Sequence, residues 1–193
     1  VFSCLTDADF LDTEKFFYPN TERGLTGDME KALEKLNRRF AEFTQTTELQ
    51  KARGRIQRQA FKNAAETNEN IMLLDMPTGS GKTLTAAKIA LTSGKKRVIY
   101  VIPQISIIEQ TADSMEQIFQ ETMPVLQHHS NYSYEPKRGA DKQDEEKAER
   151  LLIKTTENWD APFIVTTSVQ FFNSLCHYKS SALRKLHNLR DSI

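Results

Sequence analysis

The sequence predicts an α/β fold in which helices flank a parallel sheet. From residue 71 onward, short apolar runs alternate with segments of helical periodicity, which is the pattern of repeated strand and helix units. A glycine-rich stretch follows the first of these apolar runs and precedes a helical segment, as phosphate-binding loops do. Helical segments are expected in the first 66 residues, ahead of this unit.

The composition is that of a globular protein without net charge. Lysine plus arginine (26) balances aspartate plus glutamate (26), so any contact with a nucleic acid must be local. No apolar run approaches the roughly 20 residues that span a bilayer. Only Cys4 and Cys176 are present, which argues against a disulfide framework or a zinc site. With no signal-peptide pattern at the start, we expect a cytoplasmic protein without a membrane partner.

The first part of the chain predicts helices. Residues 1–14 alternate apolar and acidic side chains, and Pro19 and Asn20 end this segment. From Asp28, apolar residues recur at helical spacing opposite a charged face, which predicts an amphipathic connecting helix. Residues 54–66 predict a further helix.

The rest of the chain predicts strands and helices in turn. Buried strands are predicted at 71–74, 98–101 and 163–165, with a short apolar pair at 125–126. Helices are predicted at 82–91, 106–119 and 144–154, and a polar, irregular stretch at 131–141.

Residues 77–83 read PTGSGKT and match the end of the phosphate-binding motif G-x-x-x-x-G-K-[ST], with Met76 at its first glycine position. Because the loop would join a strand to a helix N-terminus, its backbone N–H groups can converge on phosphate oxygens. Lys82 would neutralise the β- and γ-phosphates of ATP, and the Thr83 hydroxyl would complete a Mg²⁺ shell. The alternative is a chance glycine-rich turn.

The loop resembles that of superfamily 2 helicases, in which the first glycine is commonly replaced. The resemblance implies a RecA-like P-loop NTPase lobe that binds ATP and Mg²⁺, with Lys82 and Thr83 as catalytic residues. Gln59 resembles the glutamine by which such motors contact adenine, and a surface residue on a helix is the alternative. The predicted nucleotide-binding residues are Gln59, Pro77, Thr78, Gly79, Ser80, Gly81, Lys82 and Thr83.

Two polar segments at predicted strand ends resemble motifs that face a nucleic-acid backbone. One contains Gln104 and Ser106, where a helix N-terminus can offer N–H donors to phosphate. The alternative there is that Pro103 ends the strand and Ser106 caps the helix. The other segment contains Thr166 and Thr167, for which capping of a following helix is the alternative.

Such motors also need an Asp-Glu pair, at the end of an apolar strand, to hold Mg²⁺ and activate water. The only Asp-Glu pair, Asp144-Glu145, lies in a charged stretch that predicts a solvated helix face. A new strand could begin at residues 191–193, and we expect the Asp-Glu motif just beyond it. ATP turnover is therefore not expected from this chain alone.

Five segments resemble the CRISPR-associated helicase-nuclease of Type I systems. They are residues 2–14 (FSCLTDADFLDTE), the phosphate loop, and residues 98–103 (VIYVIP), 128–131 (HHSN) and 158–167 (NWDAPFIVTT). The resemblance implies a histidine-aspartate nuclease domain with a divalent transition metal, whose site Asp9 would help to close. It also implies a motor that pulls single-stranded DNA into the nuclease, and an RNA-guided surveillance complex as partner.

The predicted domains are the end of the nuclease domain (1–18), a helical linker (19–52) and the N-terminal part of the first RecA-like lobe (53–193). The implied function is ATP-dependent translocation on single-stranded DNA, coupled to a metal-dependent nuclease in antiviral defence. Two other functions stay open, a non-catalytic nucleotide-dependent binding module and an RNA helicase of the same superfamily. Without the other metal ligands, Asp7, Asp9 and Asp12 are expected to form a polar helix face.

Overall fold

A computed structural model describes residues 1–130 and 142–193, and in the second range it describes side chains from residue 146 onward. The α-helices of this part are α1 (Phe2–Phe17), α2 (Met29–Ala41), α3 (Glu48–Glu66), α4 (Lys82–Thr92), α5 (Ile105–Phe119), α6 (Lys142–Asn158), α7 (Ser168–Cys176) and α8 (Ser180–Leu183). The strands are β1 (Val98–Ile102), β2 (Val125–His128) and β3 (Phe163–Thr167). The irregular stretch predicted at 131–141 and the side chains of Asp144 and Glu145 lie outside the described residues.

The three strands form a parallel sheet in the order β1-β3-β2. Residue Phe163 at the start of β3 stands opposite Val98 of β1 and Val125 of β2. The carboxyl ends of all three strands therefore meet at one edge, where open α/β sheets bind their ligands. The predicted α/β fold with a parallel sheet is confirmed.

Apolar cores cover both faces of the sheet, because successive residues of a strand point to opposite faces. Phe163 and Val165 of β3 pack on one face against α2, α4 and α5. Ile164 packs on the other face with Leu126 and the buried indole of Trp159. The sheet thus separates two layers of helices.

Helix α2 packs into the first of these cores. The Asp28 carboxylate caps the helix by accepting a hydrogen bond from the Lys31 N–H at 3.0 Å. Ala32 and Leu36 are fully buried beside α4 and α5. The amphipathic helix predicted from Asp28 is confirmed, whereas the assignment of residues 19–52 to a linker stays a prediction.

Two predicted helices have different limits in the structure. Helix α3 begins at Glu48 rather than at residue 54, because Thr47 and Gln50 form a capping box that starts the helix earlier. Helix α6 extends past residue 154 to Asn158, and its last turn is buried rather than solvated, with Thr155 fully buried.

Residues 71–74 do not form the predicted buried strand. Ile71 is 89% exposed and Leu73 is 94% exposed. A strand needs a hydrogen-bonded neighbour, and the free edge of β1 is bonded instead by the last two residues of the chain. The Ile99 N–H donates to the Ile193 carbonyl at 2.8 Å, and the Ile193 N–H donates to the Arg97 carbonyl at 3.0 Å. The strand expected to begin at 191–193 is thus present as a single parallel bridge.

Candidate nucleotide and nucleic-acid site

The phosphate loop, residues 77–83, is a tight turn that leads directly into α4. Gly79 and Gly81 have φ angles of +76° and +88°, the left-handed region that favours glycine. The Ser80 N–H and hydroxyl both donate to the Pro77 carbonyl, at 3.2 and 2.6 Å. Ser80 is buried, whereas Pro77, Thr78 and Gly79 are exposed. The outer side of the loop is therefore open to a ligand.

Lys82 and Thr83 occupy the first turn of α4, as predicted. Lys82 is exposed and makes no ion pair with a side chain that the structure describes. Thr83 is half-buried beside Tyr100; burial raises the pKa of the Tyr100 phenol, and a hydrogen bond with Thr83 partly offsets the rise. An uncompensated ammonium at a helix N-terminus, next to backbone N–H groups, suits a polyphosphate. The residues present therefore fit ATP, with the Thr83 hydroxyl placed to join a Mg²⁺ shell.

Gln57 of α3 contacts the phosphate loop on its buried side. It is 9% exposed, and its Nε2 donates to the Ser80 carbonyl at 2.8 Å. A Cβ at Gly81 would lie 2.8 Å from the same Nε2, so the glycine leaves room for the amide. Arg53, one turn earlier on α3, places Nη2 3.6 Å from the Cβ position of Gly79. Helix α3 thus sets an amide and a guanidinium against the phosphate loop.

Gln59 lies on the exposed side of α3. Its amide donates to Asn63 Oδ1 at 2.7 Å, and the side chain lines a groove of about 680 Å³ between residues 71–76 and β1. The structure therefore does not bring Gln59 to the phosphate loop, and its contact with adenine stays a prediction.

Sequence reasoning missed Gln57, although helical phase could have identified it. Gln57 precedes Phe61 by one turn and Ala64 by two, on the partly buried side of α3. Gln59 precedes Asn63 by one turn, on the exposed side. Of the two glutamines, only Gln57 is buried.

The predicted nucleic-acid residues Gln104 and Ser106 follow the carboxyl end of β1. Both are exposed. Gln104 is the N-cap of α5 without a capping hydrogen bond from its side chain, and Ser106 lies inside the first turn. Pro103 does end the strand, but the alternative that Ser106 caps the helix is wrong, because α5 begins one residue earlier. The contact of both residues with a nucleic acid stays a prediction.

Thr166 and Thr167 end β3, next to the end of β1 in the sheet. The Thr166 hydroxyl is fully buried and donates to the His128 carbonyl at 2.8 Å. The Thr167 hydroxyl caps α7 by accepting from the Gln170 N–H at 3.0 Å. Both hydroxyls have protein partners, which favours the capping alternative for Thr167. Contact of these two residues with a nucleic acid stays a prediction.

The acidic residues of α1 do not share one polar face. Asp9 and Asp12 are exposed, but Asp7 is 3% exposed and its carboxylate accepts from Arg184 Nε at 2.7 Å. The expected polar face is therefore wrong for Asp7, because Arg184 neutralises it inside the fold. Within residues 1–130 and 142–193, no group of three or more His, Cys, Asp or Glu side chains could hold a metal ion. The described residues alone do not fit a transition-metal site at Asp9.

A second set of charges joins α1 to α6. Arg23 contacts Glu14 of α1 and Glu157 of α6, and Lys154 of α6 also contacts Glu14. Burial acts to raise the pKa of Glu14, but hydrogen bonds from Lys154 and Arg23 lower it below its ordinary value. Helix α1 is thus bound to the rest of the fold by ion pairs with Arg23, with Lys154 of α6 and with Arg184, which follows α8.

A known protein family matches most of this chain. No helix in the described part of the chain has the length and apolar character needed to cross a bilayer. No curated protein matches the chain. The family described as "Type III restriction enzyme, res subunit" matches residues 30–190, which include the phosphate loop. This family is helicase-like and of superfamily 2, so the domain is one of ATP-dependent nucleic-acid helicases or translocases. The chain belongs to the Type III restriction enzyme res-subunit family.

Proposed function

We propose that the chain is the nucleotide-binding part of a motor that uses ATP and Mg²⁺ to move along single-stranded DNA. The observation that carries this proposal is the phosphate loop, in which Gly79 and Gly81 adopt left-handed angles ahead of the exposed ammonium of Lys82. Single-stranded DNA as the track is supported by the resemblance to the CRISPR helicase-nuclease.

The residues at the loop have separate tasks in this proposal. Bound ATP would supply the phosphoryl group whose transfer to water releases the free energy for movement, and Mg²⁺ would neutralise the charge that develops on it. Lys82 and the backbone N–H groups of the loop would bind the phosphates, and Thr83 would orient the metal ion. Gln57 holds the loop in shape through the Ser80 carbonyl. We expect nucleotide binding by this chain, and hydrolysis only where Asp-Glu carboxylates are also present.

The nuclease assignment is part of the same proposal. Helix α1 is the end of a histidine-aspartate nuclease domain, Asp9 contributes to its transition-metal site, and a cytoplasmic RNA-guided surveillance complex delivers the DNA. The support is the resemblance of residues 2–14 and the exposed aromatic side chains on α1, Phe2, Phe16 and Phe17. The buried Asp7–Arg184 pair would hold that domain against the motor.

The test is ATP hydrolysis by the whole protein, with single-stranded DNA, single-stranded RNA or no nucleic acid present. The proposal expects hydrolysis that DNA stimulates more than RNA does and that Lys82→Ala abolishes, while Lys62→Ala on the exposed side of α3 leaves it unchanged. Stimulation by RNA alone would favour the RNA helicase. Nucleotide binding without hydrolysis under any of these conditions would favour the binding module.

A further inference from the structure

A cleft of about 1,100 Å³ lies between α1, α6 and the α8 segment, next to the carboxyl end of β2. It is separate from the phosphate loop, none of whose residues lines it. Charged side chains of both signs line it, among them Arg23, Lys154, Arg184 and Lys185 together with Glu14 and Glu157.

Most of the inner charges of this cleft neutralise one another. Arg23 and Lys154 contact Glu14 and Glu157, as described above, and Arg184 contacts Asp7 and Glu157. Lys185 differs, because it is only partly exposed yet makes no ion pair with a described carboxylate. Withdrawing an ammonium from water without a counter-charge is unfavourable. A bound anion would offset this penalty.

The surroundings of Lys185 show where such an anion would bind. Its Nζ lies 5.5 Å from the centre of the Trp159 ring. Burial lowers the pKa of Lys185, the charge of Arg184 lowers it further, and the charge of Glu157 partly offsets both effects. The ammonium thus lies near an indole, a second cation and the Glu157 carboxylate, and it makes no ion pair with the side chains that the structure describes.

His128, at the end of β2, brings a second donor to the same cleft. Its Nδ1 accepts a hydrogen bond from Trp159 Nε1 at 2.9 Å. Burial lowers the pKa of His128 to about 3, so the ring is neutral and carries its hydrogen on Nε2. In the described part of the chain that N–H has no acceptor. Lys185 and His128 therefore place two donors near Trp159 that have no oxygen partner among the described residues.

We propose that Lys185 and His128 form a subsite for one phosphate of a single-stranded nucleic-acid backbone. The inference rests on the proposed function, since it concerns the track on which the motor would move. Phe17 and Tyr18 line the same cleft, are largely exposed and offer faces on which unpaired bases can stack. The Thr166 hydroxyl bonds the His128 carbonyl, which joins this subsite to the sheet edge where the other nucleic-acid residues are predicted.

The test is binding of the full chain to a fluorescein-labelled oligothymidylate, measured by anisotropy across a salt series without nucleotide. Lys185→Met keeps the length of the side chain and removes its charge. It is expected to weaken binding about tenfold and to reduce the slope of log K against log salt by about 0.7, the value for one phosphate contact on a single strand. Lys185→Arg should retain the slope. The matched control, Lys62→Met on exposed α3, should retain both affinity and slope.

The unfolding temperature of Lys185→Met distinguishes a phosphate-binding role of Lys185 from packing of its side chain on the Trp159 indole. Because the ammonium is unfavourably buried, Lys185→Met should unfold at the same or a higher temperature than the wild type. A lower unfolding temperature with an unchanged salt slope would assign Lys185 to packing on Trp159 and overturn the subsite. If Lys185→Met does not fold, Lys185→Gln is measured in the same way.

The phosphate subsite and the proposed function are contradicted by different results. Salt-dependent binding by the wild type that Lys185→Met leaves unchanged would remove the subsite and leave the proposed function standing. Absence of salt-dependent binding by the wild type would overturn the subsite, and hydrolysis of ATP by the whole protein, stimulated by single-stranded DNA, would then decide the proposed function separately.

Discussion

The Gln57 side-chain amide donates a hydrogen bond to the Ser80 carbonyl at 2.8 Å, which joins α3 to the phosphate loop across 23 residues. Both residues are buried, so the bond is shielded from water. It holds the loop on the side away from the exposed residues Gly79 and Lys82. The shape of the phosphate site therefore depends on a residue well upstream of the motif.

Replacing Gln57 with alanine should weaken nucleotide binding. The substitution leaves the buried Ser80 carbonyl without this donor, an effect of about 1–3 kcal/mol on a buried polar group. We expect about tenfold lower affinity for a fluorescent ATP analogue, measured by titration. Gln59→Ala is the matched control, because its amide bonds only the exposed Asn63. A larger loss with Gln59→Ala than with Gln57→Ala would instead support the predicted adenine contact of Gln59.

Gly81→Ala should abolish tight nucleotide binding. Its φ of +88° is unfavourable for alanine by roughly 1–2 kcal/mol, and the new Cβ would meet Gln57 Nε2 at 2.8 Å. Gly94 is the matched control, because it has a similar φ of +73° but nothing within 4 Å of a new Cβ. Gly94→Ala should lower stability by a similar conformational amount, measured by urea unfolding, and leave nucleotide affinity unchanged. Equal affinities for both variants would contradict the role assigned to the Gly81 contact.

The features that the sequence could predict are local ones. The phosphate loop follows from the backbone geometry that the glycines within residues 77–83 allow. The parallel sheet follows from the burial that the apolar runs at 98–101 and 163–165 indicate. The choice between Gln57 and Gln59 also depends on a local feature, the phase of α3, because Gln57 lies one turn before Phe61 and two before Ala64 on its partly buried side.

The features that the sequence could not predict are non-local ones. The apolar run at 71–74 reads as a strand, yet a strand exists only beside a partner, and Ile193 bonds the neighbouring edge of β1. The acidic pattern of α1 reads as a solvated face, yet Asp7 is neutralised by Arg184 from the far end of the chain. Periodicity carries no information about such partners.

Asp7→Ala should destabilise the fold strongly. It removes the buried carboxylate that accepts from Arg184 Nε and leaves the guanidinium with its contact to the half-buried Glu157. Removal of one partner from a buried ion pair costs about 3–5 kcal/mol. Chemical denaturation of the variant measures this loss. Asp9→Ala on the exposed side of the same helix should change the free energy of unfolding by no more than about 0.5 kcal/mol.

Adding Arg184→Met to Asp7→Ala should recover part of the lost stability, because the buried cation that has lost its Asp7 partner is then removed. If Asp7→Ala and Asp9→Ala cost the same, α1 would not be held to the lobe by this pair.

Acid should weaken the fold in part through His128. Its pKa falls from 6.5 to about 3 on folding, so between these values the unfolded chain binds the additional proton. The contribution of His128 is fully present above pH 6.5 and is lost as the pH falls, by at most about 1.4 kcal/mol per pH unit. His128→Asn keeps an acceptor for Trp159 but does not titrate. Urea unfolding at pH 7 and at pH 5 should therefore show a smaller loss for His128→Asn than for the wild type, and equal losses would contradict the buried, neutral ring.

The most direct test of the central claim is the titration of this chain with a fluorescent ATP analogue in the presence of Mg²⁺. The phosphate-loop assignment predicts saturable binding that Lys82→Ala lowers at least tenfold, since a charge-assisted contact to phosphate is lost. Lys62→Ala, an exposed lysine of α3, should bind as the wild type does. Wild-type affinity in Lys82→Ala, or no saturable binding by the wild type, would contradict the claim that residues 77–83 bind a nucleotide.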